Sequence, residues 1–173
     1  TKANEFIKLQ KNQPFFLYVA FNAVHTPMQA PPEDLVKFPN ITKKKRRTLA
    51  AMTLALDRAI GSIMDTLKEQ GLDENTIVFF LNDNGGATKN ASNNRRLRGM
   101  KGSKWEGGIR VPYVARWKNN LMPSSYDKPV SSLDIAATSL TLAGDTLEAM
   151  NDLDGIDILP FLTGSEKGIP HDI

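Results

Sequence analysis

Residues 76–86 read Thr-Ile-Val-Phe-Phe-Leu-Asn-Asp-Asn-Gly-Gly, an apolar run that ends in oxygen-bearing side chains and two glycines. The run is short and continuous, which is typical of a strand that is covered on both faces of an α/β sheet. Sheets of this class hold their ligands where the strands end. We therefore predict a strand over residues 76–82 and a functional site directly after it.

Asp83 and Asn84 are the candidate metal ligands at this strand end. A carboxylate and an amide carbonyl suit a hard cation, Ca²⁺ or Mg²⁺, and the adjacent glycines allow the backbone to bend closely around an ion. The same Asp-Asn-Gly sequence is also a common turn signal. The pair therefore indicates a site only if other chemical groups converge on it.

His25 is the first such group, because it follows a second predicted strand over residues 14–21. That stretch, Pro-Phe-Phe-Leu-Tyr-Val-Ala-Phe, is again continuous and apolar, as expected of a strand buried on both faces. Histidine can exchange a proton or donate to an anion near neutral pH. An ordinary loop histidine is the alternative interpretation.

The second group lies in the glycine-rich segment 97–112, where Lys101 and Lys104 supply positive charge. Its glycines are dense enough to let the backbone approach a ligand, and we expect Glu106 to hold the loop through an ion pair. The segment lacks the glycine spacing of nucleotide-binding loops. Taken alone, it is equally compatible with a solvated connection.

Read in order, these motifs resemble the C-terminal part of the catalytic domain of type I sulfatases. The matching stretches are Phe-Asn-Ala-Val-His25-Thr-Pro, Leu-Asn-Asp83-Asn84-Gly-Gly and Gly-Met-Lys101-Gly-Ser-Lys-Trp-Glu-Gly-Gly-Ile-Arg-Val-Pro, continued by residues 129–138 and 154–164. The resemblance implies an α/β, alkaline phosphatase-like fold, a mixed sheet sandwiched by helices, with its N-terminal half missing. Residues 1–173 would then be one partial catalytic domain, truncated at both ends.

The resemblance also implies roles for the four candidate residues. Asp83 and Asn84 would bind one Ca²⁺, with Mg²⁺ possible, while His25 and Lys101 would contact the sulfate and one of them would protonate the departing alcohol. Family members use a formylglycine nucleophile made within a Cys/Ser-x-Pro-x-Arg motif, and this chain has neither a cysteine nor that motif. We therefore expect the nucleophile outside residues 1–173, and this segment alone to be inactive.

The implied function is hydrolysis of a sulfate monoester, with a sulfated small molecule or a sulfated glycan as substrate. A phosphatase, phosphonate hydrolase or phosphoryl transferase of the same superfamily is an alternative, because the fold and part of the metal site are shared. A noncatalytic polyanion-binding domain is an alternative from another class. The resemblance further implies an exported protein, whether periplasmic, extracellular or lysosome-like.

Charge identifies no nucleic-acid or membrane partner, because 22 basic residues face 19 acidic ones for a net charge of +3. The basic run 43–47 could bind polyanions, but it leads into a helical pattern and is better explained as an exposed helix start. Arg95, Arg96 and Arg98 lie in a polar loop and could meet substrate anions, although we expect at least two of them to face solvent. Oligomeric state is not predicted.

Periodicity predicts the remaining elements. Apolar residues recur at helical spacing over residues 46–70, and Gly71 is placed to end that helix. Residues 1–10 are helix-like, residues 113–117 have strand character, and a helix over 133–142 could be capped by Ser131 or Ser132. Asp134 is expected to be a helix-start charge. Asp154 and Asp157 are expected to be turn and cap residues.

Overall fold

The computed structural model describes residues 1–145 and 153–172. Two strands within these residues pair in a two-stranded sheet. None of the helices in this part of the chain is both long enough and apolar enough to cross a membrane. The helices are α1 (Lys2–Gln10), α2 (Pro32–Leu35), α3 (Lys44–Glu69), α4 (Glu106–Ile109), α5 (Asp134–Leu142) and α6 (Leu159–Thr163), and the strands are β1 (Val78–Leu81) and β2 (Tyr113–Arg116).

The chain divides into two compact units. The first unit contains residues 1–72 and 80–113, and the second contains residues 73–79 and 114–173. Every candidate site residue named above belongs to the first unit.

Helix α3 confirms the predicted long helix, with a start two residues earlier and an end one residue earlier than expected. Its apolar stripe includes Leu49, Met52 and Leu67, which are buried, and the helix also packs against α1 and α2. Gly71 ends it as predicted, because its φ of +71° is the left-handed conformation that glycine adopts without strain. The amide of Leu72 then donates to the carbonyl of Leu67 at 2.8 Å, closing the last turn.

The first unit also contains an ion pair between the buried Asp34 of α2 and the half-exposed Arg58 side chain of α3. The Asp34 carboxylate is fully buried and receives both Arg58 guanidinium nitrogens, Nη1 to Oδ1 at 2.5 Å and Nη2 to Oδ2 at 2.6 Å. Lys37 Nζ adds a longer contact of 3.4 Å to Oδ1. The hydrogen bonds from Arg58 lower the pKa of Asp34 and outweigh the opposing effect of burial, and the same contact raises the pKa of Arg58.

We expect Arg58→Ala to lower the melting temperature by several degrees near neutral pH, because it leaves a buried carboxylate without its main partner. Asp34 has a folded-state pKa below its unfolded value, so its contribution to stability is present above the unfolded pKa and is lost as the pH falls through the folded pKa. The difference in melting temperature between the two proteins should therefore narrow as the pH falls below about 4. Thermal unfolding across that range measures it.

Lys37→Ala is the matched control for this prediction. It also removes a cation that contacts Asp34, but the lysine makes only the single longer contact and its side chain is 53% exposed. It should cost much less stability than Arg58→Ala. The role assigned to the Arg58 guanidinium would be contradicted if both variants lowered the melting temperature equally. It would also be contradicted if the difference in melting temperature between Arg58→Ala and the unaltered protein did not change with pH.

The predicted strand over residues 14–21 is wrong for this structure, which forms no strand there. Phe16 is 66% exposed and Tyr18 is 79% exposed, so the run is not covered on both faces. A strand needs a neighbouring strand to pair with its amides and carbonyls, and no described residue pairs with this segment in that way. Phe15 instead packs edge-on against Phe6 of α1, with ring centres 5.7 Å apart.

The other predicted elements are present with shifted ends. Strand β1 covers the central part of the predicted strand over 76–82, but it is not covered on both faces as predicted, because Phe80 is 36% exposed. Strand β2 ends one residue before the predicted strand over 113–117. Helix α5 begins one residue later than predicted, at Asp134. Ser131 contributes at its start through Oγ, which accepts from the Leu133 amide at 3.2 Å. Arg47, in the basic run, donates to the Ile41 carbonyl at 2.9 Å, and the run forms the start of α3 as expected.

In the second unit, Asp134 is the first residue of α5 and so is the helix-start charge that the sequence predicts. It is fully buried, and its carboxylate accepts from the amides of Ser131 at 2.7 Å and Ile156 at 3.1 Å. Both of its oxygens also contact Nε2 of His171, at 2.8 and 2.9 Å. These additional partners lie 22 and 37 residues away, and no local pattern indicates them.

Asp157 lies directly before Ile158, the N-cap residue of α6, and its Oδ1 accepts from the Leu159 amide at 3.1 Å. The neighbouring backbone is anchored to α5, where Thr138 Oγ1 accepts from the Ile158 amide at 3.0 Å. Thr138 and Ile158 are both fully buried. The segments 129–138 and 154–164, which carry part of the family resemblance, are therefore held together directly.

Candidate functional site

The site begins where β1 ends. Asp83 is exposed, and its carboxylate forms no hydrogen bond or ion pair with another residue that the structure describes. Asn84 is half-buried, and its Nδ2 donates to the Gly85 carbonyl at 2.9 Å. That bond fixes the orientation of the amide group and leaves the Asn84 Oδ1 atom available to a ligand.

His25 lies in an exposed turn in which its amide donates to the Asn22 carbonyl at 2.8 Å. Its ring Nδ1 is 2.8 Å from the Thr26 carbonyl oxygen. A carbonyl oxygen can only accept, so Nδ1 carries the hydrogen in this contact and Nε2 is the free ring nitrogen. His25 is thus oriented through one nitrogen and can bind or exchange a proton through the other.

Glycines hold the two site loops against each other. The Gly85 amide donates to the Gly108 carbonyl at 2.9 Å, and the Gly107 amide donates to the Arg98 carbonyl at 2.7 Å. A Cβ atom on Gly85 would collide with the Gly107 carbonyl, and one on Gly107 would collide with the Gly99 carbonyl. The glycines of the segment 97–112 therefore allow backbone to approach backbone, whereas the sequence predicted an approach of backbone to a ligand.

Lys101 projects from the second of these loops. Its backbone amide donates to the Gly86 carbonyl at 3.3 Å, which joins it to the loop that carries Asp83 and Asn84. Its side chain is exposed and contacts no carboxylate in the described ranges. The charge of Lys101 is therefore not neutralised by those residues and is available to an anion.

Two asparagines in the polar loop connect all three motifs. Asn94 Oδ1 accepts from the Gly86 amide at 2.9 Å, while its Nδ2 donates to the carbonyls of Gly86 and Gly99, each at 3.1 Å. Asn90 Nδ2 donates at 3.4 Å to the carbonyl of Val24, the neighbour of His25. Sequence reasoning missed both residues, because asparagines in a polar loop are typical turn formers and give no sign of distant partners.

The predicted ion pair of Glu106 is present. Its Oε1 lies 2.9 Å from Arg110 Nη1, one turn along α4. Arg98 is not simply solvent-facing, because its guanidinium lies 3.8 Å from the centre of the Trp105 ring. Arg95 and Arg96 are exposed, in keeping with the expectation that two of the three arginines face solvent.

A cavity of about 230 Å³ lies beside the end of β1. Asn84 and Asn94 line it together with Arg46 and Arg110, whereas His25, Asp83 and Lys101 do not. Arg46 also donates to the Ala91 carbonyl at 3.1 Å, which ties α3 to the polar loop.

The chemistry of the donors fits part of a calcium site. Within residues 1–145 and 153–172, the Asp83 carboxylate and the Asn84 Oδ1 have no hydrogen-bond or ion-pair partner, and oxygen is the donor that Ca²⁺ prefers. No group of three or more acidic, histidine or cysteine side chains in the described ranges is arranged to hold a metal. Because Ca²⁺ takes about six to eight oxygens, these two residues supply a minority of its ligands.

The family model described as Sulfatase matches residues 1–145, more than half of the chain. The chain belongs to the sulfatase family. Among curated relatives, this sulfatase chain is 33% identical to an uncharacterized sulfatase, YdeN, of Escherichia coli strain K12, over 92% of this chain and 29% of that protein. It is also 33% identical to the N-acetylgalactosamine-6-sulfatase of Canis lupus familiaris, over 95% of this chain and 32% of the relative.

Solved structures agree with this assignment. Ps i-CgsB in complex with k-i-k-neocarrahexaose is 41% identical with a TM-score of 0.90, covering 98% of this chain and 38% of that one. A sulfatase from work on glycosaminoglycan metabolism by Bacteroides thetaiotaomicron is 30% identical with a TM-score of 0.79, covering 97% of this chain and 36% of the other. The predicted α/β, alkaline phosphatase-like class is thereby confirmed. The chain spans about a third of the length of the relatives it matches.

Proposed function

We propose that this chain provides one side of a sulfate monoester hydrolase site, with Asp83 and Asn84 as metal ligands and His25 and Lys101 as sulfate-contacting groups. The observation that supports this most directly is the hydrogen bond from the Lys101 amide to the Gly86 carbonyl. It places the unneutralised cation and the unengaged oxygens on loops that are joined to each other. Membership of the sulfatase family supports sulfate ester hydrolysis as the reaction of this site.

Asp83 and Asn84 would hold a Ca²⁺ ion, with Mg²⁺ as the alternative. When bound, the ion supplies positive charge that stabilises negative charge on the sulfate oxygens and on the departing oxygen. The nucleophile of the family, a formylglycine, is expected outside residues 1–173, because the chain contains no cysteine and no Ser-x-Pro-x-Arg sequence.

His25 and Lys101 perform the part of the reaction that this chain can carry. As the nucleophile forms a new bond to sulfur, the bond from sulfur to the alcohol oxygen breaks, and its electron pair remains on that oxygen, which then needs a proton. His25 can deliver that proton from Nε2 when it is protonated, because its Nδ1 is already engaged with Thr26. The Lys101 ammonium stabilises the charge on the sulfate and is a second possible proton donor.

We further propose a sulfated glycan as substrate and an exported location. The support for the glycan is the structural relative described in complex with k-i-k-neocarrahexaose, which matches nearly the whole of this chain. A sulfated small molecule is the alternative substrate class. It is supported by the similarity to the steryl-sulfatase of Rattus norvegicus, which is 30% identical over 99% of this chain.

The test uses the protein expressed from its full coding sequence. Sulfate release is measured from para-nitrophenyl sulfate and from the neocarrahexaose, beside phosphate release from para-nitrophenyl phosphate. We expect sulfate release that is lost on chelation and restored by Ca²⁺. We also expect Ca²⁺ to raise the melting temperature of the protein. The Asp83→Ala variant should need at least about 10-fold more Ca²⁺ to reach the same increase in melting temperature.

Asp57→Ala is the control for the metal measurement, because Asp57 is an exposed aspartate of α3 without a partner in the described ranges. Its response to Ca²⁺ should equal that of the unaltered protein. Faster release of phosphate than of sulfate would favour the phosphatase alternative. Binding of sulfated glycan that survives chelation, without any release, would favour the noncatalytic polyanion-binding domain.

A further inference from the structure

All the charged residues in the loop between the two site motifs are basic. Residues 87–105, here called the cationic loop, contain no aspartate or glutamate, although acidic residues nearly balance basic ones over the whole chain. A solvated surface ordinarily mixes both signs, because like charges held together repel each other. The cations of the loop are Lys89, Arg95, Arg96, Arg98, Lys101 and Lys104.

No carboxylate among the residues that the structure describes neutralises these charges. None of the six cations lies within ion-pair distance of a carboxylate in the part of the chain that the structure describes. Arg98 is committed to the face of Trp105. Arg95 and Arg96 have no such contact, and both are exposed beside Asn94.

The backbone that carries Arg95 and Arg96 is fixed. The Arg95 amide donates to Asn93 Oδ1 at 2.7 Å, and the Leu97 amide donates to the Asn94 carbonyl at 3.1 Å. Asn94 itself is bound to the backbones of both site loops, as described above. Binding an anion would therefore require ordering of the two side chains alone, which lowers the entropic cost of association.

We infer that Arg95 and Arg96 form a second anion-binding surface, which takes a sulfate group of the substrate other than the one being cleaved. The inference rests on the proposed function and narrows it to glycans that carry more than one sulfate. The planar guanidinium fork binds two oxygens of a sulfate at once, as it does with phosphate or carboxylate. Lys101 takes the reacting sulfate, and the arginines recognise a neighbouring one.

A nucleic acid fits this surface less well. Binding of single strands combines positive charge with aromatic side chains on which bases stack. Trp105 is the aromatic residue of the cationic loop, and Arg98 already covers one face of its ring. A polysulfated glycan needs the charge without the stacking.

The test measures the affinity of the protein from its full coding sequence for k-i-k-neocarrahexaose and for its desulfated form. An Asp83→Ala background is used so that turnover does not consume the probe. We expect Arg95→Gln with Arg96→Gln to weaken binding of the sulfated hexasaccharide by about 10-fold or more, because two charge-assisted contacts are lost. The affinity of this double arginine variant for the hexasaccharide should also depend less steeply on salt concentration than that of the protein with both arginines.

Lys44→Gln with Lys45→Gln is the matched control, since it removes two exposed cations from the start of α3. We expect it to change the affinity by less than about 3-fold. The inference would be overturned if the control lost as much affinity as the arginine variant, or if the arginine variant lost none. It would also be overturned if the desulfated hexasaccharide or a single-stranded oligonucleotide bound as tightly as the sulfated hexasaccharide. Failure of the proposed function is distinct, because it would appear as absence of sulfate release by the protein without substitutions.

Discussion

Lys101→Ala is expected to lower the rate constant for sulfate release by about 10²- to 10³-fold, the usual effect of removing one group that stabilises charge in the transition state. The Lys101 side chain is exposed and contacts no carboxylate in the described part of the chain. Its backbone amide, which a substitution retains, holds the loop to Gly86. The variant should therefore keep its melting temperature. Steady-state kinetics beside thermal unfolding measure both.

Lys45→Ala is the control for this prediction. Lys45 is also exposed, and it belongs to the basic run at the start of α3. If the chain were a noncatalytic binder of polyanions, Lys45 would contribute to glycan affinity and Lys101 would be dispensable. A loss of rate in Lys45→Ala that matches that of Lys101→Ala would show that general positive charge, not a specific contact, drives the reaction.

Gly107→Ala is expected to disrupt the site through the backbone. The added Cβ would collide with the carbonyl of Gly99 and would lie 2.7 Å from that of Arg98, which accepts the Gly107 amide hydrogen bond. Neither carbonyl can move without displacing the loop that carries Lys101. We expect a loss of stability of about 1–3 kcal/mol from overpacking and a large fall in sulfate release. Urea unfolding and kinetic measurements test the two effects.

Gly61→Ala is the matched control, because a Cβ at this position of α3 meets no atom within 4 Å. Alanine loses less conformational freedom than glycine in a helix, so this variant should be more stable by about 0.5–1 kcal/mol and fully active. If Gly107→Ala instead kept the stability and rate of the unaltered protein, the close packing of Gly107 against Arg98 and Gly99 would not be needed for the site.

Local patterns were sufficient for the elements whose physics is local. Helix α3 follows from an apolar stripe at helical spacing, and its end follows from Gly71 in the left-handed conformation. Strand β1 and the polar groups after it follow from a short apolar run that ends in Asp83 and Asn84. The motifs also identified the family, which the matching family model confirms.

The features that the sequence did not predict have a different cause. The apolar run over residues 14–21 looks like a buried strand, but a strand exists only where another strand pairs with it. Asp134 is the helix-start charge that the sequence predicts, but its further partners, His171 and the Ile156 amide, were not predicted. These outcomes depend on partners far along the chain, and the spacing of neighbouring residues carries no information about them.

The sequence by itself determined the family, the long helix and the four residues proposed to bind metal and sulfate. These features depend on the chemistry and spacing of residues that lie close together in the sequence. Only the tertiary structure decided how the site loops are held. The three hydrogen bonds of Asn94 and the contact of Gly85 with Gly107 join segments that lie up to 22 residues apart. Such contacts form because the folded chain excludes water and leaves each backbone group to find its partner within the protein.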